Sequence, residues 1–404
     1  MATTTFLYHT LGIMGYQHLR TEYRDGCVYH HVEVHEHKRT CRGCRARWHK
    51  LTLAGKFERT FRGLPIGTRK QFIVLHGHEQ SCSDCGKTLR EPISFADGSR
   101  RHLRALSRYI IELCQIATIK HAADMLGVGW DLVKEVYKES LRKRLKRRKL
   151  SKVRYIAVDE FAVRKGHRYM TVVLDLETGE IIHSHLGKDA GALIPFLWKL
   201  RRNQVRLEAI AIDMSDAYIK AIKQVLPTVD IVHDPFHVVA LAQRAIDETR
   251  RDMCRELEGE PRRVLKGTRF LLLKGLENLK ESALERLTEL MQLNEPLYRA
   301  YLLKEDLRMF WSMPNREVAE PFLDGWIAQA HATGLKHFAT LASTLNKHRA
   351  RLLAYFKHRI STGPLEGLNN KIKVLKRQAY GFRDMEYFQL RLYFLHDATP
   401  AFPG

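Results

Sequence analysis

Two C-x-x-C pairs, Cys41-Arg-Gly-Cys44 and Cys82-Ser-Asp-Cys85, have 37 residues between them and constrain the fold more than any other feature of the chain. A two-residue gap turns both thiolates of a pair toward one point, and two such knuckles complete a tetrahedron of sulfur. Between them run β-prone segments such as Gln71–Leu75, the stretch a zinc ribbon requires. Gly43 and Gly86 stand where tight knuckles need relaxed backbone. One structural Zn2+ on Cys41, Cys44, Cys82 and Cys85 is therefore expected. A histidine (His35, His37, His49, His76 or His78) could replace one ligand. Redox use of the pairs is disfavoured, since a dithiol C-x-x-C usually heads a helix in a thioredoxin-like unit. Seven cysteines in 404 residues are too sparse for a disulfide scaffold, which fits a reducing compartment.

Charge is the second constraint. The chain carries 68 Lys+Arg against 45 Asp+Glu, a net +23, and the first 150 residues hold 29 of those cations against 14 acids. The basic excess thus lies mainly in the first third, as a grip on a phosphate backbone would require. No apolar run approaches the roughly 20 residues of a membrane span, and the first residues lack the pattern of a secretory signal. The expected setting is cytoplasmic, with no membrane partner.

Apolar spacing at Leu103, Leu106, Ile110 and Leu113 predicts helices over 101–141. Within them, Ile119 to Val136 has the form helix, glycine-containing turn, helix. Ala123 allows a close crossing, and Leu126, Val128, Val133 and Val136 supply a shared core. A helix-turn-helix of this register would face DNA with Trp130, Lys134 and Lys138. Asp131 and Glu135 dilute that face. From Arg142 to Arg154 nine of thirteen residues are Lys or Arg. In this run Arg142, Lys143, Arg144, Lys146, Arg147, Arg148 and Lys149 are candidate phosphate contacts.

From Tyr155 the pattern changes to strands: YIAVDEFAV, then a hairpin turning at Glu177–Gly179, then Leu207–Asp213 and Ile231–Val232, with helices at Ala192–Leu200 and Ala217–Val225 between them. Residues 238–357 read as amphipathic helices, and the tail is helical again. An α/β core with a helical insertion or appendage follows. Asp159 lies inside one apolar strand and Asp213 closes another, where carboxylates are costly unless a cation sits between them. In Ser361-Thr-Gly-Pro-Leu-Glu-Gly-Leu-Asn-Asn-Lys-Ile-Lys, helical spacing gathers Leu365, Leu368, Ile372 and Leu375 into an apolar stripe. Glu366, Asn370, Lys373 and Arg377 then line another face. Two Asp and one Glu around two Mg2+ ions about 4 Å apart can activate a water or 3′-hydroxyl and stabilise the leaving oxygen of a phosphodiester. Asp234 before Pro235 is a good helix cap.

The order of zinc ribbon and helix-turn-helix, then Val158-Asp159-Glu160-Phe161, Ile212-Asp213-Met214-Ser215, Asp234-Pro-Phe-His237-Val-Val and the Glu366-Gly-Leu-Asn-Asn-Lys-Ile-Lys373 helix, resembles the ISL-three family of bacterial insertion-sequence transposases. The resemblance spans about residues 38–395. It implies a multidomain α+β chain: leader 1–37, zinc ribbon 38–95, helix-turn-helix 98–141, basic linker 142–154, ribonuclease H-like core 155–240, helical insertion 241–357, and a closing core segment 358–395. It implies that Asp159, Asp213 and Glu366 bind two Mg2+ (or Mn2+) ions as catalytic triad, with Asp234, His237, Asn370 and Lys373 as auxiliary residues. It further implies that double-stranded DNA, at the terminal inverted repeats and at the target, is cleaved and joined through freed 3′-hydroxyl ends. A homodimer or larger assembly on the bacterial nucleoid would hold the two ends. A non-catalytic zinc-dependent DNA-binding regulator is the alternative that the basic N-terminal third leaves open.

Overall fold

The computed structural model describes residues 2–164, 168–256 and 258–395, and the chain divides into two compact units meeting at Arg147/Arg148. Among the described residues no helix is long and apolar enough to cross a membrane.

The first unit opens with α1 (Ala2–Leu11) and builds a sheet from β1 (Tyr16–Arg24), β2 (Cys27–Val34), β3 (Leu51–Arg62), β4 (Lys70–Cys82) and β5 (Thr88–Arg90). Its order is β1-β2-β4-β3, with β5 on β4 and β2 parallel to β4. The expected leader 1–37 is thereby corrected. Residues 16–34 form an antiparallel hairpin inside the sheet, and Leu7, Ile13, Tyr16, Val32 and Val34 join Phe61, Ile73 and Leu75 in one core. Burying those side chains, at about 2 kcal/mol each, holds the segment in place. Helices α2 (Arg104–Ile116), α3 (Ile119–Leu126) and α4 (Trp130–Lys146) follow. Gly127 ends α3 with φ 57°, a left-handed cap that a Cβ would strain. Ala123, Leu126, Val133 and Val136 are buried where the helix-turn-helix pattern required. The expected linker is corrected at its start, because residues 142–146 are the last turn of α4.

The second unit carries a five-stranded sheet of β6 (Tyr155–Arg164), β7 (Arg168–Asp175), β8 (Ile181–Leu186), β9 (Ala209–Ile212) and β10 (Asp230–His233), in the order β10-β9-β6-β7-β8. β6, β7 and β8 pair antiparallel, whereas β9 and β10 run parallel to β6. All four residues of β9 are buried, as a strand covered on both faces demands. On one face lie α5 (Ala190–Arg202) and α6 (Asp216–Val225), packed on Ile156, Val158, Ile210 and Ile212. On the other lie α16 (Gly363–Gln378) and α17 (Met385–Tyr393), packed on Ala157, Val172 and Ala211. Leu365, Leu368, Ile372 and Leu375 are the buried stripe of α16, as the spacing predicts.

Between the parallel strands and α16 stands a helical block. It comprises α7 (Pro235–Glu256), α8 (Gly259–Lys266), α9 (Arg269–Leu273), α10 (Glu281–Leu293), α11 (Glu295–Met309), α12 (Arg316–Ala332), α13 (Lys336–Lys347), α14 (Arg349–Leu353) and α15 (Tyr355–His358). It has its own core, including Ile246, Leu303, Phe310, Leu323, Trp326 and Phe338.

Candidate active site and metal centre

Strand register brings three acids together. β6 and β9 are paired in parallel up to Ala157↔Ala211, so Asp159, within β6, and Asp213, just past the end of β9, lie on neighbouring strands. β10 continues the row: His233 pairs with Ile212, and Asp234 follows at the next position. Asp213 and Asp234 thus follow the carboxyl ends of the parallel strands β9 and β10, where ligands of open α/β sheets bind, while Asp159 lies within β6.

Asp159 points to the α16 face. Its Oδ1 accepts from the Glu160 N–H at 2.7 Å and its Oδ2 from the Asn369 side-chain amide at 3.2 Å. Burial pushes its carboxyl above the usual range and the Asp213 charge adds to this, while the Glu160 N–H, His237 and Asn369 oppose it. Glu160 lies on the α6 face, its carboxyl also raised by burial and by Asp213, with the Tyr218 hydroxyl 3.4 Å away. Asp213 Oδ1 accepts from the Ser215 N–H at 3.0 Å, and its backbone carbonyl accepts from His233 Nδ1 at 3.1 Å. His233 is fully buried and also bonds His348 at 3.1 Å. Burial lowers its pKa to about 4, so at neutral pH it is an uncharged brace under Asp213.

Asp234 is 1% exposed and joins three elements. Its Oδ1 accepts from the Thr362 N–H at 2.9 Å, at the cap of α16. Its Oδ2 accepts from His237, through the backbone N–H at 3.3 Å and Nδ1 at 3.0 Å, within the first turn of α7. Burial pushes the Asp234 carboxyl up, but its bonds to His237 and Thr362 prevail and hold it low. The bond to Asp234 raises His237, and the charges of Asp159 and Asp213 act the same way. The charged form of this imidazole is thus favoured beside the acids. Asp234→Ala should lower the unfolding free energy by about 3 kcal/mol, because a helix-cap N–H and an imidazolium lose a buried acceptor. The pair also sets a pH window. Asp234 is lowered, so its contribution is in place above its ordinary 3.8 and fades as pH falls through the lowered value; His237 is raised, so its share is in place below 6.5 and is lost as pH rises through the raised one. Urea unfolding across pH should show that window in wild type and lack it in Asp234→Ala.

The four cysteines converge in the first unit. Their Sγ atoms all lie within 4.8 Å of one another, with Cys41–Cys85 at 3.7 Å and Cys44–Cys82 at 3.6 Å. A tetrahedron with Zn–S bonds of about 2.3 Å has edges of about 3.8 Å. The donor set therefore fits zinc with all four sulfurs, and no histidine is needed. Backbone N–H groups of Cys44 and Gly43 lower the Cys41 thiol to about 6, toward the ligating thiolate. Gly86 has φ 66°, as expected, but in the first knuckle the left-handed residue is Arg45, φ 63°. Gly43 is needed for close approach instead: a Cβ there would meet Leu89 Cδ1 at 3.3 Å and two cysteine sulfurs at 3.7 Å.

A transposase family model, of the ISL3 type, matches residues 156–392. The transposase for insertion sequence element IS1001 of Bordetella parapertussis is 34% identical over 373 residues, 90% of this chain and 89% of that protein. The chain belongs to the ISL3 transposase family. The transposase for insertion sequence element IS1557 of Mycobacterium tuberculosis is 28% identical over 397 residues, 91% of this chain and 88% of that protein.

In this ISL3 transposase the remaining expected residues divide. Glu366 is exposed in the first turn of α16, and Asn370, Lys373 and Arg377 are exposed along the same helix. Asn370 accepts from Lys373 at 3.4 Å, while Asn369, which the sequence reading passed over, reaches Asp159. The donors of Asp159, Asp213 and Glu366 do not all lie within 4.8 Å; among the described residues only the four cysteines form such a group. Trp130 is exposed with Lys134 Nζ 5.6 Å from its ring centre, and Lys143, Arg144, Lys146, Arg147 and Lys149 are exposed, Arg142 partly so. Two expected phosphate contacts are corrected. Lys138 is 7% exposed, packed inside the first unit. Arg148 pairs with Glu180 and donates to the Ile181 carbonyl at 2.6 Å, which fixes it on the core sheet.

Proposed function

We propose that this transposase binds the terminal inverted repeats of its element, cleaves the DNA there and joins the freed 3′-hydroxyl ends to target DNA, at a divalent-metal site of Asp159, Asp213 and Glu366. The observation that carries the reading is the side-by-side placement of Asp159 and Asp213, their charges adding in a half-buried site that a cation would relieve. Three antiparallel strands followed by two parallel ones, in the order β8-β7-β6-β9-β10, support a ribonuclease H-like core.

The donor set fits Mg2+ or Mn2+: carboxylate oxygens, with the Asn369 Oδ1 buried and unpartnered nearby. When bound, two such ions supply an activated water or 3′-hydroxyl and charge stabilisation at the leaving oxygen. Asp159, within β6, and Asp213, just past β9, would hold that site from the sheet. Glu366 stands on a helix anchored by its apolar stripe and by Asp234, and its exposure leaves it open to substrate. His237 adds positive charge beside the acids, and Lys373 and Arg377 on the exposed side of α16 suit a phosphate backbone. In the first unit the Trp130/Lys134 face of α4, the exposed basic run and the zinc ribbon are the grip on the repeats. Joining two ends requires two or more copies in the DNA complex, working at the bacterial nucleoid.

The test is Mg2+-dependent nicking of DNA carrying the gene's own flanking ends, with wild type against Glu366→Gln. Wild type should nick at the repeat boundary. The variant should bind equally well and cut at least ~10³-fold more slowly, about 4 kcal/mol of barrier. Binding without cutting by both proteins would favour the DNA-binding regulator and remove the catalytic reading.

A further inference from the structure

We propose that Asn369 is a positioning residue of this metal site: its amide nitrogen clamps Asp159, and its amide oxygen faces the divalent cation or that cation's hydration water. The inference rests on the metal reading above and adds a group to it. Asn369 sits on α16 at the border between the buried stripe of Leu365, Leu368 and Ile372 and the exposed row of Glu366, Asn370 and Lys373.

Its Nδ2 donates to Asp159 Oδ2 at 3.2 Å. The opposite amide orientation would set two acceptors, Oδ1 and a carboxylate oxygen, against each other, so the chemistry of Asp159 fixes which atom faces it. That choice leaves Asn369 Oδ1 buried with no hydrogen-bond partner among the described residues. A buried carbonyl oxygen without a partner is rare in folded chains and points to a missing donor or cation. Asp159 at 3.2 Å, with Asp213 beside it, repels an anion and attracts a cation. Mg2+ and Mn2+ take carbonyl and carboxylate oxygens and keep several waters. A donor to Oδ1 and a counter-charge for Asp159 are therefore supplied by one hydrated ion.

The clamp also does work of orientation. The Glu160 N–H holds Asp159 Oδ1 at 2.7 Å and Asn369 holds Oδ2, so the carboxylate plane is set from both ends. Partners of this kind around metal ligands change affinity by about 10- to 100-fold when removed.

The experiment measures Mn2+ binding to the full-length protein without DNA, by the electron paramagnetic resonance signal of free Mn2+, for wild type, Asn369→Leu, Gln378→Ala and Asp159→Asn. Asn369→Leu should bind Mn2+ about 10- to 100-fold more weakly, with its thermal unfolding midpoint and its metal-free gel-shift affinity for DNA unchanged. The Mn2+ concentration for half-maximal nicking should rise by the same factor, a split that a general loss of structure does not give. Gln378→Ala, exposed at the far end of the same helix, should match wild type. Asn369→Ser, which keeps a polar side chain but lacks the reach, carries the same expectation and replaces the leucine variant if that one does not fold. Wild-type Mn2+ affinity in the Asn369 variants, with Asp159→Asn weakened, overturns the role of Asn369 alone. Wild-type affinity in Asp159→Asn as well overturns the metal site on which the proposal stands.

Discussion

Cys82→Ser, or dialysis against a chelator, should unfold the knuckle end of the first unit and weaken binding to the element's ends by about 10- to 100-fold, while the second unit keeps its own unfolding transition. The reason lies in how unevenly the first sheet is supported. Its apolar core, with Phe61, Ile73 and Leu75, is gathered at the end of the β3–β4 hairpin away from the cysteines. Towards the knuckles β3 runs through Thr52, Leu53 and Ala54, all exposed. At that end the buried side chains are Cys41 and Cys82, with the polar pair Gln80 and Glu91 beside them. Zinc binding in small metal-dependent folds supplies about 10–16 kcal/mol, and no packing there replaces it. The exposed Arg42, Arg45 and Arg47 ride on the first knuckle. If they touch phosphates, losing them should flatten the slope of log affinity against log salt by about 2 to 3. One zinc per chain by atomic absorption, and faster amide exchange at Leu51–Leu53 and Thr88–Arg90 after chelation, are the measurements. Unchanged exchange in a zinc-free protein sinks the idea.

How far this could be read from the residues varied with how local the determining physics was. The apolar stripe of α16 and the turn of the helix-turn-helix are set by spacing within one or two turns of helix, and both stand where the pattern put them. The two knuckles were legible because two short spacings and one metal geometry over-determine them. The β1–β2 hairpin was hidden among histidines and charges that blur the alternation of a half-buried strand. Its turn, Asp25-Gly26 with φ 52° and 70°, is nevertheless a strong hairpin signal. The basic run misled in another way. A string of like charges carries no period, so nothing in it marks Arg148 as the residue that crosses to Glu180. Lys138 fell to the same limit: its buried position depends on packing within the unit, which α4's own spacing does not reveal.

The acids show the division most sharply. An apolar strand around Asp159 and another closed by Asp213 predicted two carboxylates in the sheet, but that their strands are neighbours follows only from the parallel pairing that ends at Ala157↔Ala211. The adjacent asparagines 369 and 370 differ by about 100° around the helix. The one at the edge of the stripe reaches Asp159, and the other turns to Lys373. Spacing counted from Glu366 favoured Asn370, because that count follows the exposed face, whereas the contact is made at the border of the buried one.

Asp159→Asn should separate catalysis from stability more cleanly than any other substitution in this chain. Cleavage should fall by at least ~10³-fold, since the amide keeps the shape but loses the charge that a divalent ion needs, a loss of several kcal/mol in transition-state stabilisation. DNA affinity should be unchanged, because the substitution lies in the core sheet of the second unit. Without metal, the variant should be more stable than wild type at neutral pH. The sign follows from the direction of the shift. Burial and the Asp213 charge raise the folded pKa of Asp159, so above its unfolded value the ionised carboxylate costs stability, and the cost disappears as pH falls through the raised value. Wild type should therefore gain on the variant as the solution is acidified. Saturating Mn2+ should reverse the order at neutral pH, stabilising wild type and leaving Asp159→Asn nearly unmoved. Guanidinium unfolding of both proteins at several pH values, with and without Mn2+, checks all three signs. A variant that is less stable than wild type without metal would mean that Asp159 is held for its hydrogen bonds to Glu160 and Asn369 rather than for its charge, and the metal reading would lose its electrostatic support.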